Sequence, residues 1–247
     1  MNQLLKIDFH IHTKEDTDNN IEYDAFELIN RAEMLSFDAI AITNHNQLMN
    51  NEKLNSYAEK KGIILFPGVE QSIDHKHVLL INFSQIDSFD NYDAIRKAKN
   101  NNNLVIAPHP FFPGMQSLGK DLYLHSDLFD AIEFCHFYSS QINFNREAVR
   151  YAQKKRLPLL AGSDAHIQEQ FGRCYSLVKS NKNKKDIIQA IKKGHVQVVA
   201  NPLHLNSMVR IYLKILLNKP SLKRSLVRIK GIFNKLGHVS ETRRFLQ

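Results

Sequence analysis

In Asp8-Phe9-His10-Ile11-His12 two histidines stand two residues apart, a spacing that turns both side chains to one face of an extended strand. Imidazoles so placed can grip one metal ion together while Phe9 and Ile11 pack on the other side. The arrangement recurs along the chain. Thr43-Asn44-His45-Asn46 closes a second apolar run, Glu70 follows Pro67-Gly68, His75 and His77 open another run, His109 sits in Ala107-Pro108-His109-Pro110, and Asp164 and His166 lie two apart in Gly162-Ser163-Asp164-Ala165-His166. One such group is an ordinary polar strand end; five or six in series point to a common metal centre. Mixed imidazole and carboxylate donors suit Mn, Fe or Zn rather than Ca or Mg. Two cysteines are too few for a disulfide framework or a thiolate zinc site, and Cys135, inside an apolar run, reads as a reduced core residue.

The elements that must carry these residues alternate. Runs rich in Ile, Leu, Val and Phe predict strands over 4–11, 39–43, 63–67, 78–83, 104–107, 131–134 and 157–161, with amphipathic helices over 23–35, 47–61, 89–101 and 143–155. Later segments add strands over 175–178 and 196–199 around a helix over 184–193. This is the pattern of parallel βαβ units, with strands buried on both faces. Nearly every strand runs into a His, Asp or Glu, which favours a closed barrel with its chemistry at the C-terminal strand ends.

The net charge of +8 is not spread evenly: residues 1–206 carry 23 Lys/Arg against 24 Asp/Glu, and residues 207–247 carry 10 against 1. The chain is therefore expected to divide into a metallohydrolase domain over 1–200 and a basic helical C-terminal extension over 201–247. Met208 to Leu217 is apolar almost all round, and beyond Pro220 the residues Leu222, Leu226, Ile229, Phe233 and Leu236 form one helical stripe. Three readings stay open for the extension: packing against the barrel or a second copy, contact with nucleic acid phosphates, and attachment to an anionic membrane or another protein. With no leader and no apolar stretch near the ~20 residues of a membrane span, a cytoplasmic protein is expected.

Taken in order, DFHIH, TNHN, GVE, HVLLINF, APHP, AIEF and GSDAH resemble the polymerase and histidinol phosphatase (PHP) family over roughly residues 5–180. The resemblance implies a distorted barrel of seven βα units, two or three Mn, Fe or Zn ions, and hydrolysis of phosphomonoesters or phosphodiesters. It places His10, His12 and Asp164 on one ion, has Glu70 bridge to a second held by His109 and His77, and puts a third on His45 and His166. Two departures stand out. The family generally has Asp where Asn44 stands, and it supplies a His or Asp soon after the HxH pair, where this chain offers Glu15, Asp16 and Asp18; Asp18 is the residue chosen here.

Under this reading Glu70, Asp164 and His166 belong to the catalytic apparatus. Water activated by the ions attacks phosphorus, and the leaving alcohol takes its proton from a water at the third site or from a nearby His, with His166 and His136 as candidates. Glu133 and His136 could either touch substrate or orient the ligands by hydrogen bonds, and Arg173 could either clamp phosphate, which its guanidinium fork matches, or form a plain surface salt bridge. No GxSxG elbow or Walker loop suggests another scheme. Hydrolysis of C–N bonds would want a bridging lysine after a middle strand, for which there is no candidate. A non-catalytic metal-binding scaffold acting through the basic tail is the remaining alternative.

Overall fold

A computed structural model describes residues 3–85 and 89–218. Its elements are β1 (Gln3–Asp8), α1 (Ala25–Met34), β2 (Ala39–Ile42), α2 (Glu52–Lys60), β3 (Ile64–Ile73), β4 (Lys76–Ile81), α3 (Tyr92–Ala98), β5 (Leu104–Ala107), α4 (Asp121–Leu124), β6 (Ala131–Cys135), α5 (Asn145–Lys155), β7 (Leu159–Gly162), β8 (Cys174–Ser180), α6 (Lys184–Lys192), β9 (Val196–Ala200) and α7 (Leu205–Asn218). Local chemistry sets several boundaries. At the start of α1 the Asp24 carboxylate accepts from Glu27 N and the Glu27 carboxylate accepts from Asp24 N, both at 2.9 Å, so two otherwise orphaned amides are satisfied. α5 ends where Arg156 turns left-handed at φ 55°.

The nine strands form one sheet in the order β7-β6-β5-β4-β3-β2-β1-β8-β9, curled until the edge strands β7 and β9 approach. Ala161 N of β7 donates to Ser176 Oγ of β8 at 2.8 Å, and the segment beyond β7 joins the segment after β1 through a parallel Ile11–Ala165 bridge. The barrel is thus nearly closed. It is not all parallel, as the βαβ pattern predicts: β4 runs antiparallel to both β3 and β5, and β8 antiparallel to β1 and β9. The cause for β4 is local. Asp74 and His75, at φ 47° and 64°, form a two-residue connection of the kind that folds a strand directly back on its predecessor. β3 runs to Ile73, past the end expected at 67.

Alternate strand residues face opposite sides. Ile7, Ala39, Leu79 and Ile106 pack together with Ile187 and Ile191 of α6, whereas the intervening Ile40, Leu80, Val105 and Ile132 pack with residues of α1, α2, α3 and α5. Each Leu or Ile so buried stabilises the fold by roughly 1.5–3 kcal/mol relative to exposure. Of the basic extension, α7 is described and packs on the barrel; the stripe read from Leu222 onward lies outside the described residues. Among the described residues no helix is long and apolar enough to cross a membrane.

Candidate metal centre

The strand directions explain how residues so far apart in sequence meet. β1, β2, β3, β5, β6 and β7 point the same way. Their C-terminal ends bring His10, His12, His45, His109, Asp164 and His166 to one end of the barrel. β4 points the other way, so its first residues reach that same end, and His77 joins the group because it opens the strand rather than closing it. Glu70 lies within the extended part of β3, seven residues before His77 on the paired strand.

Glu70 is the hub. Its Oε1 lies 2.8 Å from His77 Nδ1, 3.2 Å from His109 Nε2 and 3.4 Å from His10 Nε2, while its Oε2 lies 3.1 Å from His45 Nε2 and 3.3 Å from His12 Nε2. One carboxylate thus faces two groups of imidazoles, the disposition of a bridging ligand. Four overlapping triads have ligand atoms within 4.8 Å of one another: His10, His12, Glu70; His10, His109, Asp164; His45, Glu70, His77; and His12, His45, His166.

The far sides of the rings are held by carboxylates. Glu133 Oε1 bonds His10 Nδ1 at 2.7 Å, and Asp16 Oδ2 bonds both His12 Nδ1 at 2.8 Å and His45 Nδ1 at 2.7 Å. An imidazole whose Nδ1–H is given to a carboxylate presents Nε2 as a lone pair, which is how metal-ligating histidines are oriented. His10 Nε2 and His12 Nε2 are buried and have no hydrogen-bond partner, although carboxylate oxygens stand near. Buried polar atoms are seldom left so, and a divalent cation would satisfy both. The donor set is one for divalent metal.

Electrostatics agree. Burial opposes the charge on Glu70, yet His77, His10 and His45 hold its carboxyl well below the usual range, and for Asp164 His10 and His166 outweigh burial in the same way. Burial, reinforced by nearby His12, pushes His166 down to about 4. Two of the strand-end residues also carry backbone strain, with His109 at φ 27° and Asp164 at φ 44°. Gly162 has a steric role: a Cβ there would meet Glu133 Oε1 at 2.1 Å and His10 Cβ at 3.0 Å, so glycine leaves the space that Glu133 occupies.

A cleft of about 550 Å³ opens above this floor, lined by His45, Glu70, His77, His109, Asp164 and His166 among others. Not every residue singled out in the sequence reaches it as expected. Asp18 lies at the cleft but is exposed and stands outside the four triads; the carboxylate that holds the imidazoles is Asp16, which is buried. Glu133 does not line the cleft: it is buried beneath His10, and its other oxygen accepts from His109 N at 2.7 Å. Arg173 is exposed, gives its Nε to Glu169 O at 2.7 Å and is absent from the cleft wall. His75 sits exposed on the β3–β4 turn, the surface place expected of it because His77, two along, fills the inward position.

His136 does line the cleft, in a constrained state. Gln170 Oε1 accepts from His166 N and Ile167 N, each at 3.0 Å, so the Gln170 amide must donate to His136 Nε2, 2.9 Å away. The proton of the neutral ring is then on Nδ1, and burial keeps the imidazole near a pKa of about 4. His166 Nδ1 lies 3.0 Å from Asp164 O, to which it donates. Neither ring offers a readily transferable proton, against their expected role as acids toward the leaving group.

Asn44 is buried and fastens the segment after His12, accepting from Thr13 N at 2.9 Å and donating to Thr13 Oγ1 at 3.0 Å. Asp8, a further buried residue not counted among the site residues, accepts from His10 N at 3.1 Å and Ser163 N at 3.2 Å, tying the two ligand-bearing strand ends together. Burial raises its carboxyl to about 7.

This barrel, with its ring of strand-end histidines, has counterparts of known structure. A two-domain protein from Bacteroides vulgatus containing a predicted PHP-like metal-dependent phosphoesterase superposes with a TM-score of 0.63 at 20% identity, over 87% of this chain and 70% of that one. The fold is of the PHP type. PsfC from Pseudomonas syringae gives a TM-score of 0.62 at 18% identity, over 90% of this chain and 100% of that one. The lesion-specific endonuclease PfuEndoQ from Pyrococcus furiosus gives 0.54 at 19% identity, over 79% and 58%. Residues 143–196 of the PHP-type barrel match the family model described as PHP-associated. No curated protein matches the chain by sequence.

Proposed function

We propose that this chain is a hydrolase of phosphoesters that depends on two or three divalent transition-metal ions, Mn, Fe or Zn. The observation that carries the reading is the convergence of His10, His12 and His45, each with Nδ1 fixed by a buried carboxylate, on the two oxygens of Glu70 at the floor of an open cleft. His109, His77, Asp164 and His166 complete the ligand set. Bound there, such ions would lower the pKa of a coordinated water to about 7 and neutralise charge on the phosphoryl oxygens.

The protein's own part is orientation and proton management. Asp16 and Glu133 hold three rings in the tautomer that leaves Nε2 free. Glu70 and Asp164 remain ionised despite burial. His136 is held neutral with its Nε2 occupied by Gln170, so protonation of the leaving alcohol falls to water in the cleft. Arg173 plays no part in binding phosphate. The non-catalytic scaffold would have no use for an open cleft above a full ligand set.

The likeness to PHP-type structures supports phosphate-ester chemistry. One of them, the endonuclease Q complex, has a 27-mer duplex with an abasic lesion at its active site. Together with the positive charge of residues 207–247 this supports nucleotides or nucleic acid as the substrate.

The test is metal content by elemental analysis of protein purified without chelator, with turnover of p-nitrophenyl phosphate and bis-p-nitrophenyl phosphate on the same sample. Two or three transition metals per chain with hydrolysis of either ester are expected, and His10→Ala or Asp164→Ala abolishes turnover with the fold retained. A protein that stays empty and inactive after addition of Mn, Fe or Zn, or one fully active after stripping, refutes the proposal.

A further inference from the structure

The first helix of the basic extension is part of the cleft. Met208 and Ile211 of α7 are buried with Leu203 and Ile167, and Phe137 and Ile215 pack on that cluster. Ile167 directly follows His166, and Phe137 directly follows His136, so α7 is seated on the two segments that bring these imidazoles to the cleft. Lys214 Nζ adds a contact to Glu169 Oε1 at 2.7 Å. This seat places Tyr212 and Ile215 on the cleft wall, where Tyr212 remains 54% exposed.

Aromatic rings line the cleft beside this seat as well. Phe112 and Phe137 both line it and pack edge to face with centroids 5.7 Å apart. The cleft therefore has a floor of imidazoles and carboxylates and an upper wall with three aromatic rings. Its volume of about 550 Å³ falls within the roughly 300–1,000 Å³ that accommodates small organic ligands. A phosphoester with its phosphate on the floor carries its other half toward these rings. A sugar or glycerol phosphate would leave them wetted, whereas a planar group could stack on them.

We infer that α7 is a specificity wall, and that Tyr212 with Phe112 and Phe137 receives a planar aromatic group on the substrate, a nucleobase or an aryl ring. The inference rests on the phosphoesterase reading above. It assigns a substrate-facing role to a segment that the sequence sets apart from the barrel.

The experiment uses the metal-loaded full-length chain and its Tyr212→Ala and Tyr212→Phe variants. KM and kcat are measured for thymidine 5′-phosphate, phenyl phosphate and glycerol 2-phosphate, and calorimetry gives Kd for phenylphosphonate and methylphosphonate. Stacking of one base on one ring supports a preference of about tenfold for the aromatic esters. Tyr212→Ala is expected to raise their KM by about that factor, leaving kcat, metal content and the glycerol ester unchanged, and Tyr212→Phe restores the preference. Thymidine phosphate ahead of phenyl phosphate assigns the wall to a nucleobase; the reverse order assigns it to an aryl ring. Equal KM for aromatic and glycerol esters in the unmodified protein, or a preference that survives Tyr212→Ala, overturns the inference. If no ester is hydrolysed but phenylphosphonate still outbinds methylphosphonate in a Tyr212-dependent way, the hydrolase reading fails and the wall stands.

Discussion

Replacing Asp16 by asparagine separates the two carboxylates that compete for the place after the HxH pair. Asp16 Oδ2 holds His12 Nδ1 at 2.8 Å and His45 Nδ1 at 2.7 Å, and its other oxygen accepts from Asp18 N at 2.8 Å. An amide has one accepting oxygen, so its NH₂ group would confront either both imidazole N–H groups or the Asp18 N–H, and in both cases the negative charge beside the rings is lost. Loss of such an outer carboxylate typically lowers metal affinity 10–100-fold, about 1.4–2.8 kcal/mol. Asp16→Ala is a harsher change, because each buried donor left unsatisfied costs about 1–3 kcal/mol in folding as well. Asparagine is therefore the cleaner probe. Chelator competition on the purified protein measures the affinity, a thermal melt checks that the fold survives, and Asp18→Asn serves as the control, with an expected change below about threefold because its exposed side chain touches neither ring. The reasoning is refuted if Asp18→Asn loses as much affinity as Asp16→Asn, or if Asp16→Asn binds metal like the unmodified protein.

Glu133→Gln should retain the fold and lower turnover about 10–100-fold, since the negative partner of His10 is lost while His109 N keeps an acceptor; steady-state kinetics beside a melt would show it. Gly162→Ala forces a methyl into the place of Glu133 Oε1, and a urea midpoint lowered by the equivalent of about 1–3 kcal/mol, with loss of activity, is expected. A fully stable and active alanine variant would show that Glu133 does not depend on that space. Lys214→Ala breaks an ion pair whose side chains are 45% and 43% exposed, so denaturant titration should register less than about 1 kcal/mol.

The candidate ligands were legible because strand ends advertise themselves: an apolar run stops and a His, Asp or Glu follows. His10, His12, His45, Glu70, His77, His109, Asp164 and His166 all come together at one end of the barrel. What the pattern hides is direction. An apolar run reads the same whether it lies parallel or antiparallel to its neighbour, and only the two-residue link at Asp74 and His75 tells that β4 turns back. Within a loop, spacing says less still. Glu15, Asp16 and Asp18 are chemically alike, and the choice among them depends on which one reaches His12 and His45 across a fold that must already exist. Glu133 was visible as a charged residue in an apolar strand, but not that it lies under His10; the signal was Gly162 on the neighbouring strand, whose missing side chain makes room. The place of α7 was the least legible, since an apolar helix with a basic face packs equally well on a barrel, a second copy or a membrane.

The hairpin that carries Glu70 and His77 gives the site two halves with different folding histories. Those two side chains meet across 7 residues of chain, whereas His10 and Glu133 meet across 123. By loop-closure entropy alone the longer contact costs about 2.5 kcal/mol more to form. The hub carboxylate and one imidazole can therefore be in place on a local hairpin before the barrel shuts, and the rings of His10 and His12, just past β1, join them when the segment after β7 comes round to bridge Ile11. A metal held by both halves would act as a clasp on this late step, so loading should slow the opening of the Ile11–Ala165 bridge more than that of the hairpin.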